Sequence, residues 1–301
     1  MPVRRVDGAV RPACLESGRY GTRPARIVCR RSNDEGPSRT DVRSRPAAPP
    51  SQPEPSAHPA RQPGPVSSPV WVMIEFVVVD VGGGPGTHAA HLAERGYDVL
   101  LVDPVVRHVE MAQARCRSQQ HAPFRVQRGE ARSLPVADQT ADVVLLMGPL
   151  YHLVQADERA AALREASRVL RPGGAVLVEV ITRHAWVLDA TKKGLLDSDG
   201  VWEDFDRNLR TGLSQDPGRH TDGAFWAYFH NPEELRGELD LAGYQDTRLV
   251  AVEGFAWLLG DLEQRMADPA DLLRVIRLTE TEPSMLGTSA HVIGVARKPR
   301  S

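Results

Sequence analysis

Five short apolar runs, at residues 76–81, 99–103, 124–127, 143–147 and 175–181, alternate with stretches of helical periodicity, and this alternation limits the possible folds more than any other feature. A strand buried on both faces reads as an unbroken apolar run, whereas a strand with one wet face alternates. Helical patterns fill the gaps at 88–95, 107–117 and 157–170, the last placing Ala161, Leu163, Ala166, Val169 and Leu170 at core-facing spacings. Strands joined through helices run parallel, and their crossovers are right-handed. The expected architecture is therefore α/β, a doubly wound parallel sheet with helices on both faces.

Beyond residue 181 the alternation stops. Residues 183–222 mix aromatic, charged and Gly-containing segments without a strand-like run, which predicts an inserted helical cap. Regular order returns with a marked helix start: Asn231 as N-cap, Pro232 at the first helical position and Glu234 three residues past the cap. That helix is expected to run to Ala242 and stop at Gly243. A strand at 248–252, a helical excursion over 261–282 and a last strand at 290–296 complete the prediction.

The opening 68 residues have another texture, rich in Pro, Arg and Ser, and are expected to form a disordered or polyproline-like leader ahead of a domain spanning 69–301. Residues 1–66 carry 12 Arg and 6 acids, so a chain of net charge −2 has a mildly acidic remainder. That balance argues against nucleic acid as the principal partner. Three cysteines, Cys14, Cys29 and Cys116, with no C-x-x-C spacing, point away from a disulfide framework or zinc site and toward a reducing, cytoplasmic setting. No apolar stretch is long enough to span a bilayer, and the N-terminus lacks the build of a secretory signal.

The chemistry is concentrated where the first strand ends. Val77 to Val81 run into Gly82-Gly83-Gly84-Pro85-Gly86-Thr87 and then a helix. Glycines let the backbone turn tightly and approach a ligand closely, and a helix N-terminus supplies unpaired N–H groups. In doubly wound sheets ligands bind at the carboxyl ends of the strands, so this turn reads as a binding loop rather than a merely tight bend. The second strand ends in Asp103, followed by Pro104. A carboxylate there can hold both hydroxyls of a ribose, or cap the next helix, or do both. The spacing Gly82, Gly84, Gly86 fits G-x-G-x-G, and Thr87 stands where the dinucleotide pattern needs a small residue, which disfavours a pyrophosphate.

At this point the chain closely resembles the class I S-adenosylmethionine-dependent methyltransferases. Asp80 to Gly86 look like their first motif, Asp103 like their ribose acid, and Glu130-Ala131 like their adenine-contacting position. Met147-Gly148-Pro149-Leu150-Tyr151-His152-Leu153 and Leu170-Arg171-Pro172-Gly173-Gly174 are similar to their segments after the fourth strand and before the fifth. Within the superfamily the likeness is to small-molecule methyltransferases related to ubiquinone and menaquinone C-methylating enzymes. The resemblance implies a Rossmann-like, mostly parallel seven-stranded sheet with an antiparallel last strand. It implies S-adenosyl-L-methionine as cofactor, held by Asp80, Gly82, Gly83, Gly84, Gly86, Asp103, Pro104, Glu130, Ala131 and Met147. One departure stands out: the helices that usually precede the first strand and close over the cofactor are replaced by the Pro/Arg-rich leader and residues 71–75.

A sulfonium-bound methyl group is already activated, so such a protein chiefly positions the acceptor and excludes water. Tyr151 and His152, on the rim past the fourth strand, are the candidates to orient or deprotonate the acceptor; His152 packing in its loop and Tyr151 walling the pocket is the plainer alternative. Tyr228 and His230 read as anchors of the helix that follows, Phe225 to Phe229 as core or pocket lining, and Trp257 and Leu258 as part of an apolar acceptor site. His88 and His91 share a helix face without a third ligand, so no metal is expected. Two rivals remain: an NAD-dependent oxidoreductase, and a non-catalytic nucleoside-binding protein of the same fold.

Overall fold

The computed structural model describes residues 76–119, 123–216 and 225–300, all within a unit spanning 72–301. The expectations for the leader and for residues 71–75 lie outside the described residues. In chain order the elements are β1 (Val77–Val81), α1 (Thr87–Ala93), β2 (Asp98–Asp103), α2 (Val106–Ser118), β3 (Arg125–Arg128), β4 (Ala141–Met147), α3 (Pro149–His152), α4 (Ala156–Val169), β5 (Leu170–Ile181), α5 (Ala185–Lys192), α6 (Val201–Thr211), β6 (Leu213–Asp216), β7 (Phe225–Tyr228), α7 (Pro232–Leu241), β8 (Gln245–Ala251), α8 (Leu262–Met266), α9 (Ala270–Thr279), α10 (Pro283–Leu286) and β9 (His291–Arg297).

Seven strands form one sheet in the order β3-β2-β1-β4-β5-β9-β8. The pairs from β3 to β5 are parallel, and β9 is antiparallel to both β5 and β8, which gives the mostly parallel sheet with an antiparallel last strand that was expected. Strand order reverses between β1 and β4, so the crevice at their carboxyl ends is where such a sheet receives a ligand.

Side-chain alternation divides the core into two layers. Val79, Val81, Val102, Val144, Leu146, Val176 and Val178 face α4 and α7, whose Leu163, Ala166, Leu235 and Leu239 are fully buried against them. Truncating any of these leucines to Ala is worth about 2–5 kcal/mol in such a setting. On the opposite face Val78, Val99, Leu101 and Leu145 meet Ala89, Ala90 and Ala93 of α1 and Ala112 of α2. The small residues Ala89, Ala90 and Ala93 let α1, which starts directly after the glycine-rich loop, lie close to the sheet.

The remaining differences have local causes. Helix α4 ends at Val169, and β5 begins at Leu170 because Leu170 pairs with Ala141 ahead of a register shift that absorbs Arg171 to Gly174. Strand β8 begins earlier than its apolar run suggests, with Asp246 in a left-handed conformation at an irregularity that hides the period. The excursion after β8 is three short helices, broken at Pro269 and Pro283, preceded by a single 3₁₀ turn at Ala256–Leu258. Between β5 and α7 the insertion does contain helices α5 and α6, but also a strand pair: β6 pairs with β7 in antiparallel register, Leu213 opposite Tyr228. Leu-Ser-Gln-Asp carries one apolar residue, so β6 exists through cross-strand pairing, which no single-strand pattern reveals. Asn231 and Glu234 form the expected capping box, the Asn231 amide donating to Glu234 Oε2 at 3.0 Å, and Gly243 follows the helix with φ +84°.

Candidate functional site

Above the carboxyl ends of β1, β2 and β4 lies a cavity of about 560 Å³, in the size range of small-molecule and cofactor sites. Gly82, Gly84, Asp103, Pro104, Glu130, Ala131 and Met147 line it, together with Tyr151 and His152. Residues from four separate stretches of sequence thus converge on one space.

The turn is built from its glycines upward. Gly84 has φ +55°, and a Cβ there would meet no atom within 4 Å, so its bare face is turned to open space. Gly83 is the reverse case: a Cβ would stand 2.6 Å from Asp80 Oδ2 and 2.7 Å from Leu101 Cδ1, so the loop is pressed onto the sheet at that point. Gly86 caps α1 with φ +82° against the buried ring of Phe124. Gly83, Gly86 and Asp80 accordingly lie beneath or behind the turn and do not line the cavity.

Asp80 is fully buried under the loop, and neither carboxylate oxygen makes a well-formed hydrogen bond. Burial pushes its carboxyl up to about 6, with the charge of His88 and the Ala89 amide offsetting only part of that cost. Asp103 has the opposite setting. Its Oδ2 accepts the Gly84 amide at 2.9 Å, and its Oδ1 accepts the Val105 amide at 2.9 Å and lies 3.2 Å from His108 Nδ1. A carboxylate offers about four lone-pair positions, so this arrangement fixes the group while leaving it able to accept from a ligand hydroxyl. Asp103 therefore both ties the turn to β2 and lines the cavity.

The structure adds residues that the sequence reading missed. His108, in the first turn of α2, and Val105 line the cavity, as do Arg132 and Pro149. Spacing gave one usable signal: His108 follows Asp103 by five residues across a helix start, where the first turn folds back over the strand end. Arg132 bridges Glu130 at 2.7 Å and Glu158 of α4, holding the segment after β3 in place. It is an exposed pair, whose role is placement rather than stability.

Tyr151 and His152 occupy the single turn of α3, launched by Gly148 at φ +145°. Their rings lie 4.6 Å apart. Burial and the charge of Glu179 push the Tyr151 hydroxyl above its ordinary range, while partial desolvation lowers His152 and favours its neutral ring at the cavity rim.

Other candidates have different duties. His230 is fully buried, joins the end of β5 through a bridge to Thr182, and points Nε2 at Glu238 Oε2 at 3.4 Å, so with Tyr228 it anchors the start of α7. Arg159 ties this region together: its guanidinium pairs with Glu238 at 2.8 Å, donates to the carbonyls of Leu153 and Val154, and lies 3.8 Å from the Tyr228 ring centroid. Ala227 and Phe229 are buried as expected of core, whereas Trp226 is 60% exposed and points outward. Trp257 donates to the Thr288 carbonyl at 2.8 Å and lies outside the cavity. His88 and His91 are exposed, and among the described residues no cluster of His, Cys, Asp or Glu is arranged to hold a metal.

Residues 78–174 match the model of a methyltransferase domain family. The chain is 36% identical over 111 residues to a ubiquinone/menaquinone biosynthesis C-methyltransferase of Rubrivivax gelatinosus, a match covering 37% of this chain and 41% of that one. It is 32% identical over 101 residues to a demethylmenaquinone methyltransferase of Tropheryma whipplei, covering 34% and 40%. The chain thus spans about two-fifths of the length of these curated relatives. An S-adenosylmethionine-dependent methyltransferase structure from Methanosarcina mazei superposes with a TM-score of 0.53 at 19% identity, over 75% of this chain and 94% of that one, which speaks for the fold. Residues 78–174 thus carry a methyltransferase domain, and the sheet order and the glycine turn with its acid on the neighbouring strand are similar to those of the class I S-adenosylmethionine-dependent methyltransferases.

Proposed function

We propose that the chain is an enzyme that transfers a methyl group from S-adenosyl-L-methionine to a small, largely apolar acceptor. The observation that carries this reading is Asp103: a nearly buried carboxylate on the cavity wall, locked to the open Gly84 turn by the Gly84 amide. The donor set fits the cofactor. Asp103 supplies the acceptor atoms for a ribose, Gly82 and Gly84 a close approach of backbone, Ala131 and Met147 apolar walls, and Glu130 and Pro104 the flanks. Asp80, Gly83 and Gly86 act from beneath by shaping the turn.

When bound, the cofactor supplies a methyl group activated by its positive sulfur. The chain's own task is to hold an acceptor against that group without water. Tyr151 and His152 are suited to orient it, or to take its proton in the case of the neutral His152 ring. An apolar cluster of Ile181, Ala185, Trp186, Phe225, Ala227 and Phe229 packs beside Tyr151 and favours an acceptor with an apolar body. The working boundaries are a catalytic domain over 69–301 with the cap at 183–222. Among the described residues no helix is long and apolar enough to cross a membrane, Cys116 is unpaired, and a cytoplasmic setting agrees with both.

Calorimetry with S-adenosylhomocysteine and with NAD tests the reading. Binding of the former alone is expected; preference for NAD, or no binding of either, overturns it.

A further inference from the structure

Resting on the methyltransferase reading, the geometry points to His291, held by Glu253, as the general base that removes a proton from a hydroxyl-bearing acceptor. The two residues come from opposite ends of an excursion, Glu253 just after β8 and His291 at the first position of β9, and no sequence motif joins them. His291 Nδ1 lies 2.6 Å from Glu253 Oε1. The other oxygen, Oε2, accepts the His291 amide at 3.0 Å and the Ser289 hydroxyl at 2.9 Å. Ser289 Oγ in turn accepts the amides of Glu253 and Gly254, both at 3.1 Å. The carboxylate is therefore fixed from several sides before the ring is placed. With Nδ1–H donating to Glu253, the neutral ring has its lone pair on Nε2, the tautomer a base needs.

The dyad is joined to the cavity by strand register. Met147, on the cavity wall, is the cross-strand neighbour of Glu179. Glu179 lies opposite Ile293 and Ile181 opposite His291, which puts Glu179 and His291 diagonally adjacent on one face of the sheet. Ile181 belongs to the apolar cluster that packs on Tyr151. Glu179, Ile181 and His291 thus share one face of the sheet, and in the proposed pose an acceptor whose apolar body rests on that cluster turns its polar end toward Glu179 and His291. About a third of the His291 side chain is open, so the ring is reachable. His152, by contrast, has no hydrogen-bond partner for its ring nitrogens among the described residues, and nothing there fixes its tautomer.

The groups facing His291 are Glu253 from the loop after β8 and Glu179 from β5, with Tyr151 and His88 beyond Glu179. The two carboxylates raise the imidazole above its ordinary value despite burial, so the ring is a stronger base than a free histidine. In the transfer the acceptor O–H proton passes to Nε2 and leaves an imidazolium paired with Glu253. The freed oxygen pair forms the bond to the methyl carbon, and the carbon–sulfur pair remains on sulfur as a neutral thioether. A base of this kind matters for a hydroxyl, which attacks poorly until its proton moves; an uncharged amine needs none.

The test uses the full chain saturated with S-adenosylhomocysteine, with 4-nitrophenol as probe, because its absorbance reports its ionisation directly. Wild type is expected to hold the bound probe as phenolate, shifting its dissociation about tenfold in favour of the anion. His291→Asn is expected to abolish the shift, and Glu253→Gln to weaken it, with S-adenosylhomocysteine affinity in both variants within twofold of wild type. Cofactor binding by wild type with no phenolate shift, or a shift unchanged in His291→Asn, overturns the base assignment. Failure of wild type to bind S-adenosylhomocysteine overturns the methyltransferase reading itself, so the two failures are distinct. A loss of folding in His291→Asn is detected by circular dichroism, and His291→Gln then takes its place with the same two outcomes.

Discussion

The half of this molecule from β1 to β4 and the half from β5 onward are built on different principles. From β1 to β4 the functional groups come from short contiguous segments at strand ends, and each is positioned by backbone geometry: a glycine turn, a carboxylate two residues from the amide it accepts, a helix start. From β5 onward the groups that meet lie far apart in sequence and are positioned by side-chain contacts, such as Arg159 with Glu238 and Tyr228, or Glu253 with His291. A site of the first kind tolerates change elsewhere in the chain. A site of the second kind depends on the whole fold, and its specificity can change without disturbing the first.

Four measurements would break or sharpen that contrast. The largest effect is expected from Arg159→Ala, which removes the buried cation paired with Glu238 and the donor to the Leu153 and Val154 carbonyls. Breaking a buried pair costs about 3–5 kcal/mol, read as a lowered urea midpoint, while S-adenosylhomocysteine affinity in the folded variant is expected to fall no more than severalfold. An equally steep loss of affinity would show that the halves are one unit.

Next is Asp80→Asn. The native carboxyl is raised to about 6 by burial, so the stability it contributes is present below the ordinary value near 3.8 and lost as pH rises through 6. Removing the titration is expected to stabilise the protein at pH 8 relative to wild type by about 3 kcal/mol, and by less at pH 5. Denaturation at the two pH values checks this, and an unchanged pH dependence would mean that Asp80 is not the strained group beneath the turn.

Asp103→Ala comes third. Charge-assisted hydrogen bonds to a ribose are worth about 1.5–3 kcal/mol, so S-adenosylhomocysteine affinity is expected to fall roughly 10- to 150-fold. Unchanged affinity in calorimetry would displace the ribose from this carboxylate. The smallest effect is expected of Asn231→Ala, which removes one side of the α7 capping box. It is expected to cost about 1 kcal/mol by thermal denaturation and leave cofactor affinity untouched.

The same contrast explains what was legible beforehand. The runs at 76–81 and 99–103 and the turn between them announced the strand, the loop and the acid, because burial of a parallel strand and the φ values of a turn leave direct marks on residue type. Met147, Glu130 and Ala131, which line the cavity, were singled out only through likeness to a family, since nothing in their spacing assigns them a ligand. His108 and Arg132 went unread although they line the same cavity. Strand β6 was missed because its residues are polar and its partner supplies the stability.

What the sequence by itself determined, then, is the parallel α/β sheet, the glycine turn at 82–86 and the acid at the end of the second strand, all consequences of local sterics and of hydrophobic period. Only the tertiary structure decided that Asp80 lies under the turn and Asp103 on the cavity, that Trp226 faces outward, and that Glu253 orients His291 beside Glu179. The reason is physical: backbone conformation and burial period are encoded within a few residues, whereas a pair formed across 38 positions has no local signature and exists only once the strands have found their register.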